Sequence, residues 1–139
     1  MATRATITIN SDISYSGLSL SSASTLKTAG TDTDISETTG LGKKKVATAS
    51  NVVLLDGGLT SGIAADVTAD KSAKVYVQNM NLRGDGTKYV TILLAAVEIG
   101  RLYGGDWMFI PWCAASGKDI EFTPSDATET TLEYTCFYE

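Results

Sequence analysis

The sequence predicts an all-β fold, a single antiparallel β-sandwich of jelly-roll-like type with an extended polar N-terminal region. Three observations support this. Segment after segment alternates apolar and polar residues with a period of two, as a strand with one buried face requires. Turn-forming residues recur at intervals of about 8 to 12 positions. Apolar residues almost never repeat at the helical spacing. With 139 residues the chain fits one domain, and folding would bury about two thirds of the surface of the unfolded form.

The alternation starts in TRATITI (3–9), where Ala5, Ile7 and Ile9 oppose Thr6 and Thr8, and returns in YSGLSLS (15–21) with Leu18 and Leu20 among serines. Both segments are rich in residues that suit a pleated sheet. From 21 to 50 the character changes to small polar residues, turn formers and a lysine triplet. This stretch reads as an extended arm or loop with a short strand near 45–48, one that could order on a neighbouring subunit, because a long structureless loop is unusual in a compact monomer. The organisation expected is therefore an N-terminal region, 1–50, and a sandwich core, 51–139.

Strands are expected again at NVVLLD (51–56), weakly at 63–68, and at AKVYVQNM (73–80), where Val75 and Val77 share a face. KYVTILLAAVEIG (88–100) places Val90, Ile92 and Leu94 opposite Tyr89, Thr91 and Leu93. A short helix over 93–99 is an alternative that periodicity does not separate from strand. WMFIPW (107–112), DIEFT (119–123) and TTLEYTCFYE (130–139) complete the series.

Composition excludes several functions. The formal net charge is -5 and only 19% of residues are charged, the opposite of the basic face that nucleic acid requires. The N-terminal MATRATITINSD has no signal-peptide-like apolar core, and the longest apolar run, VTILLAAV (90–97), is too short to span a bilayer. The expectation is a soluble protein made in a cytoplasm, with no membrane partner. The chain has no histidine, which removes the commonest general base and the usual Ser-His-Asp and Cys-His relays. A non-enzyme is expected. The catalytic alternative is a glycan hydrolase using two acids among Asp106, Asp119, Glu121, Glu133 and Glu139.

No metal or cofactor is expected. Cys113 and Cys136 lack metal or redox spacing and read as buried free thiols. Asp32, Asp34 and Glu37 supply oxygen donors without the pattern of a calcium loop.

Two groups remain as interface candidates. Lys43, Lys44 and Lys45 follow two glycines but do not form a phosphate loop. They read either as a solvated loop or as a basic contact with an acidic protein surface. Arg83 and Asp85 flank Gly84 in a stretch that resembles an adhesion tripeptide and is explained equally by a tight turn between strands. The aromatic group Trp107, Phe109 and Trp112, with Tyr134, reads as core or subunit interface, sugar stacking being the alternative. Pro111 within it points to an edge strand.

The succession KVYVQNMN, KYVTILL, GDWMFIPWCA, DIEFTPSD and TTLEYTCFYE resembles small virion proteins of tailed bacteriophages, notably those of marine and freshwater bacteria. The matching stretches are 74–79, 88–94, 105–112 and 132–138, and TTGLGKKKVATAS (38–50) is similar to a basic loop before the sheet in such proteins. The resemblance implies a β-rich structural protein of the virion, decorating or cementing the capsid or belonging to the tail or its fibres. It also implies as partner the major capsid protein or another virion protein. A homo-oligomer, trimeric at local threefold positions, would suit that role.

Overall fold

The computed structural model describes residues 4–10, 19–27, 30–35, 37–47, 50–58, 72–84, 86–126 and 129–138, and these contain strands and no helix. The expected strand at 63–68, together with Asp85 and Glu139, lies outside the described residues.

Two antiparallel sheets face each other. One has four strands in the order β5 (Val52–Leu55), β10 (Ile120–Pro124), β7 (Tyr89–Leu94) and β8 (Val97–Tyr103). The other is built on β11 (Thr130–Tyr138), β6 (Ser72–Asn79) and β9 (Trp107–Cys113). Along the far side of β11, β3 (Glu37–Thr38) and β4 (Gly42–Val46) lie end to end. From β4 onward the chain changes sheet at every connection except the β7–β8 hairpin. That crossing pattern is jelly-roll-like and makes one sandwich with one core.

The core follows from the period of two. Val75 and Val77 from β6, Leu132 and Cys136 from β11, and Trp112 from β9 point inward against Val90 and Ile92 of β7 and Ile120 and Phe122 of β10. All nine are almost completely excluded from solvent. Burial of this kind, at about 25 cal/mol per Å² of apolar surface, is what holds the two sheets together.

The outer strands carry features that discourage pairing with another chain, as sheet edges need. On β8 a bulge leaves Ile99 without a partner, since Ile92 faces Gly100 while Leu93 faces Glu98. On β9, Pro111 removes a donor. Strand β5 is only four residues long and its register with β10 slips between Val53 and Leu55. On β4, Lys44 shares a face with buried Val46, so an edge residue turned toward the interior carries a charge.

The structure corrects several expectations. The segment 93–99 is not helical: Ala95 and Ala96, with φ of 53° and 63°, form the two-residue turn of the β7–β8 hairpin. The sandwich starts at Glu37 and not at residue 51, because β3 and β4 pair with β11. The lysine triplet is strand, not loop. Between β3 and β4 the ladder is bridged by Thr39, whose N–H donates to the Cys136 carbonyl at 2.9 Å and whose hydroxyl accepts from the Cys136 N–H at 3.0 Å. The loop containing Arg83 links strands of different sheets, so it is an arch and not a hairpin.

The first two strands stand apart. Among the described residues, β1 (Arg4–Asn10) and β2 (Ser19–Thr25) pair only with each other, in a continuous register from Arg4 opposite Thr25 to Asn10 opposite Ser19. Beyond β2, a bridge between Lys27 and Asp34 and a bond from the Ile35 N–H to the Leu26 carbonyl close a small loop, with Leu26 and Ile35 both buried.

Candidate functional site

Alternation divides the aromatic segment between two surfaces. On β9, Met108, Ile110 and Trp112 face the core, so Trp107, Phe109, Pro111 and Cys113 must face outward. Trp112 is 2% exposed, and its indole N–H donates to the Lys118 carbonyl at 2.6 Å. Trp107 is 53% exposed. Of the aromatic cluster expected to be core or subunit interface, Trp112 is core, whereas Trp107 and half-buried Phe109 lie one residue out of phase with it and face outward. Tyr134 is half-buried against the core and covers Gly42, where a Cβ would come within 3.0 Å of its ring. Cys113 is exposed, against expectation; Cys136 is buried, and burial pushes its thiol up to about 12.

The outward residues of the five-stranded sheet form an aromatic floor. Tyr76 and Trp107 have ring centroids 6.4 Å apart, and Phe109 and Phe137 are likewise 6.4 Å apart and tilted, spacings typical of attractive ring pairs. The Tyr76 hydroxyl donates to Gln78 Oε1 at 2.8 Å. Burial first, and the Glu133 carboxylate second, raise the Tyr76 phenol above its ordinary range. Over this floor lies β1, and between them is an open groove of about 540 Å³. Arg4, Ala5, Thr6 and Ile7 form one wall, and Leu26 and Thr135 complete the lining with the floor. Among the described residues Arg4 is the one charged residue in that lining. Nothing in the sequence pattern of TRATITI announces that it would roof the aromatic face of a later strand.

The predicted interface residues fall elsewhere. Lys43 approaches Glu133 at 3.5 Å, and Lys45 approaches Glu129 at 2.9 Å. The Lys44 ammonium crosses to the other sheet and donates to the Val53 carbonyl at 2.8 Å. The triplet's charges are thus engaged within the chain. Arg83 donates to Asp106 Oδ1 at 2.7 Å, while Asp106 Oδ2 accepts from the Tyr103 N–H at 3.1 Å. This ties the arch to the β8–β9 turn. Its tip leaves Leu82 almost fully exposed.

Among the described residues, the candidate acids Asp106, Asp119, Glu121 and Glu133 do not come together as a pair. Asp106 is held as described, Asp119 accepts from the Gly57 N–H at 2.8 Å, and Glu133 pairs with Lys43. Glu121 alternates with inward Ile120 and Phe122 in one sheet, and Glu133 with inward Leu132 in the other. The two carboxylates therefore lie on opposite outer faces of the sandwich, separated by more than the ~10 Å between sheets, beyond the reach of paired glycosidase acids. Among the described residues no cluster of acids or cysteines could hold a metal ion; Asp34 is occupied by the Lys27 ammonium at 2.6 Å. No helix of the described residues is long and apolar enough to cross a membrane.

Compared with protein-family models and with curated proteins, the chain matches none.

Proposed function

We propose that this chain is a structural protein of a phage virion, a decoration or cement protein that binds the assembled capsid shell as a homo-oligomer and stabilises it without catalysis. The observation that carries the reading is the outer face of the five-stranded sheet. There Trp107 is exposed, and half-buried Phe109, Tyr76 and Phe137 line an open groove with it, and apolar surface of that kind marks a contact surface. A shell protein gains affinity from many copies of a modest contact, and binding only the assembled state stabilises that state by mass action. Guarded sheet edges suit a protein crowded beside identical copies.

The test is a cryo-EM map of the particle with copy counting, combined with binding of the purified protein to assembled shells and to unassembled capsid subunits. A copy number that scales with the shell lattice, and binding to shells alone, is expected. Equal binding to free subunits, or no density on the shell, overturns the reading.

A second reading, a tail or fibre component that contacts the host surface, is favoured by the position of Trp107 at an open groove. A copy number set by the symmetry of the tail would select it.

A further inference from the structure

We infer that the groove beneath β1 is a strand-addition site, which accepts an extended polypeptide from a partner as a third strand on the β1–β2 hairpin. The first observation is geometric. Four consecutive residues, Arg4 to Ile7, line the groove. Ala5 and Ile7 point to one face of the strand and Arg4 and Thr6 to the other, so the groove is bordered by the backbone of β1 as well as by one row of its side chains. One edge of β1 is fully paired with β2. Among the described residues no strand pairs with the remaining edge of β1, so from Arg4 to Ile7 it offers backbone N–H and C=O groups for about 13 Å, which is what strand addition uses for affinity.

The second observation is a contrast. The sandwich edges are blunted by a bulge on β8, a proline on β9, a short slipped β5 and an inward lysine on β4. RATITIN has no proline, no glycine and no register slip, and its residues strongly favour strand. This edge carries none of those devices.

The third observation is the chemistry of the lining. Trp107, Phe109 and Phe137 form a floor for the apolar side chains of a strand whose alternate residues point downward. Among the described residues Arg4 forms no ion pair and no carboxylate lines the groove. Antiparallel addition, the commoner arrangement, would place the C-terminal end of the incoming strand beside Arg4. The occupant is thus an extended segment with alternating apolar residues and an acidic group at its C-terminal end. This inference does not depend on the virion reading, since any protein partner could supply such a segment.

The experiment uses the full chain and blocked synthetic heptapeptides, measured by calorimetry. Ac-Thr-Val-Thr-Val-Thr-Val-Glu-NH2 is compared with its reversed-order counterpart, with Glu first, and with two forms N-methylated at alternate residues, one in each phase. The Glu-last peptide is expected to bind several-fold tighter than the Glu-first peptide. N-methylation in one phase should weaken binding at least ~10-fold, the effect of losing main-chain hydrogen bonds. Trp107→Ala and Phe109→Ala should weaken it as much with the fold intact by circular dichroism, and Arg4→Ala should abolish the preference for Glu-last. Amide exchange in β1 should slow on binding. Equal affinity of both N-methylated forms, binding unaffected by Trp107→Ala, or no peptide binding while monosaccharides bind at Trp107 would each overturn the inference. Self-association that hides Trp107 and resists competition by the peptides would also overturn it. Peptide binding retained in a chain that fails to attach to particles would count against the virion reading alone.

Discussion

Lys44 on β4 of one sheet donates its Nζ to the carbonyl of Val53 on β5 of the other, at 2.8 Å. A residue that looks in the sequence like part of a solvated basic loop is therefore a clip across the open side of the sandwich. It shares the inner face of β4 with Val46, while its ammonium satisfies a carbonyl at the edge of a short strand.

Replacing Lys44 by Met removes the clip and keeps an aliphatic stem. A loss of about 0.5 to 1.5 kcal/mol is expected, the ordinary net value of a hydrogen bond. Lys45→Ser, whose partner Glu129 is exposed, should cost less than ~0.5 kcal/mol, and Lys43→Ser, whose longer contact at 3.5 Å reaches a largely covered Glu133, less than ~1 kcal/mol. Urea denaturation of the three variants checks the order; equal losses would mean that Lys44 does not bridge the sheets.

The two tryptophans should respond oppositely. Trp112→Ala removes a buried ring and leaves the Lys118 carbonyl without its donor, so a loss of about 3 to 5 kcal/mol is expected. Trp112→Phe, a milder variant that should still fold, keeps most of the volume and should lose about 1 to 3 kcal/mol. Trp107→Ala should cost under ~1.5 kcal/mol, mostly its ring contact with Tyr76. Thermal melts of the three proteins decide this.

The β7–β8 turn is a place to gain stability. Positive φ at both Ala95 and Ala96 is costly for residues with a Cβ, on the order of 1 kcal/mol each. The same backbone is the one that Asn-Gly prefers in two-residue hairpins. Ala95→Asn with Ala96→Gly should raise stability by about 1 to 2 kcal/mol, measured as a higher denaturation midpoint with an unchanged slope.

The buried thiol sets an alkaline limit. Cys136 is held near 12 in the folded chain against an ordinary 9.0, so between these values the unfolded chain has lost a proton that the folded chain keeps. Its contribution is fully present below pH ~9 and declines as pH rises through that window, at up to ~1.4 kcal/mol per pH unit. Cys136→Ala should show a shallower fall in stability between pH 9 and 11 than the parent. Because Tyr76 also titrates upward of its usual value, the difference between the two proteins is the measurement, not either slope alone.

Close approach at the β8–β9 turn gives a further test. A Cβ on Gly104 would lie 2.4 Å from the Leu82 carbonyl oxygen and 2.8 Å from that of Asn81, so Gly104→Ala must push the arch away and strain the contact between Arg83 and Asp106. A loss above ~2 kcal/mol is expected by the mechanism of overpacking, and Arg83→Ala alone should cost well under that.

The fold class was legible because strands with one buried face repeat with a period of two, and Val75/Val77, Val90/Ile92 and Ile120/Phe122 do so cleanly. β8 was hidden. Its turn is Ala-Ala instead of Asn-Gly, and six of its seven residues are exposed, so neither turn chemistry nor alternation marks it. β4 was hidden by its lysines, which resemble a loop when the inward role of the middle one is unknown. In the aromatic segment the sequence contains the phase that separates Trp107 from Trp112, but bulk aromatic content obscures it. The groove was not legible at all, because its walls come from strands a hundred residues apart that meet only in the folded chain.

The β1–β2 hairpin closes its ladder on itself and, among the described residues, shares no main-chain bonds with either sheet. Its amides can therefore trade protons for deuterons by a local opening that leaves the sandwich untouched. Such a local opening is expected to show in exchange at β1 and β2 at a lower free energy than the opening of the sandwich core.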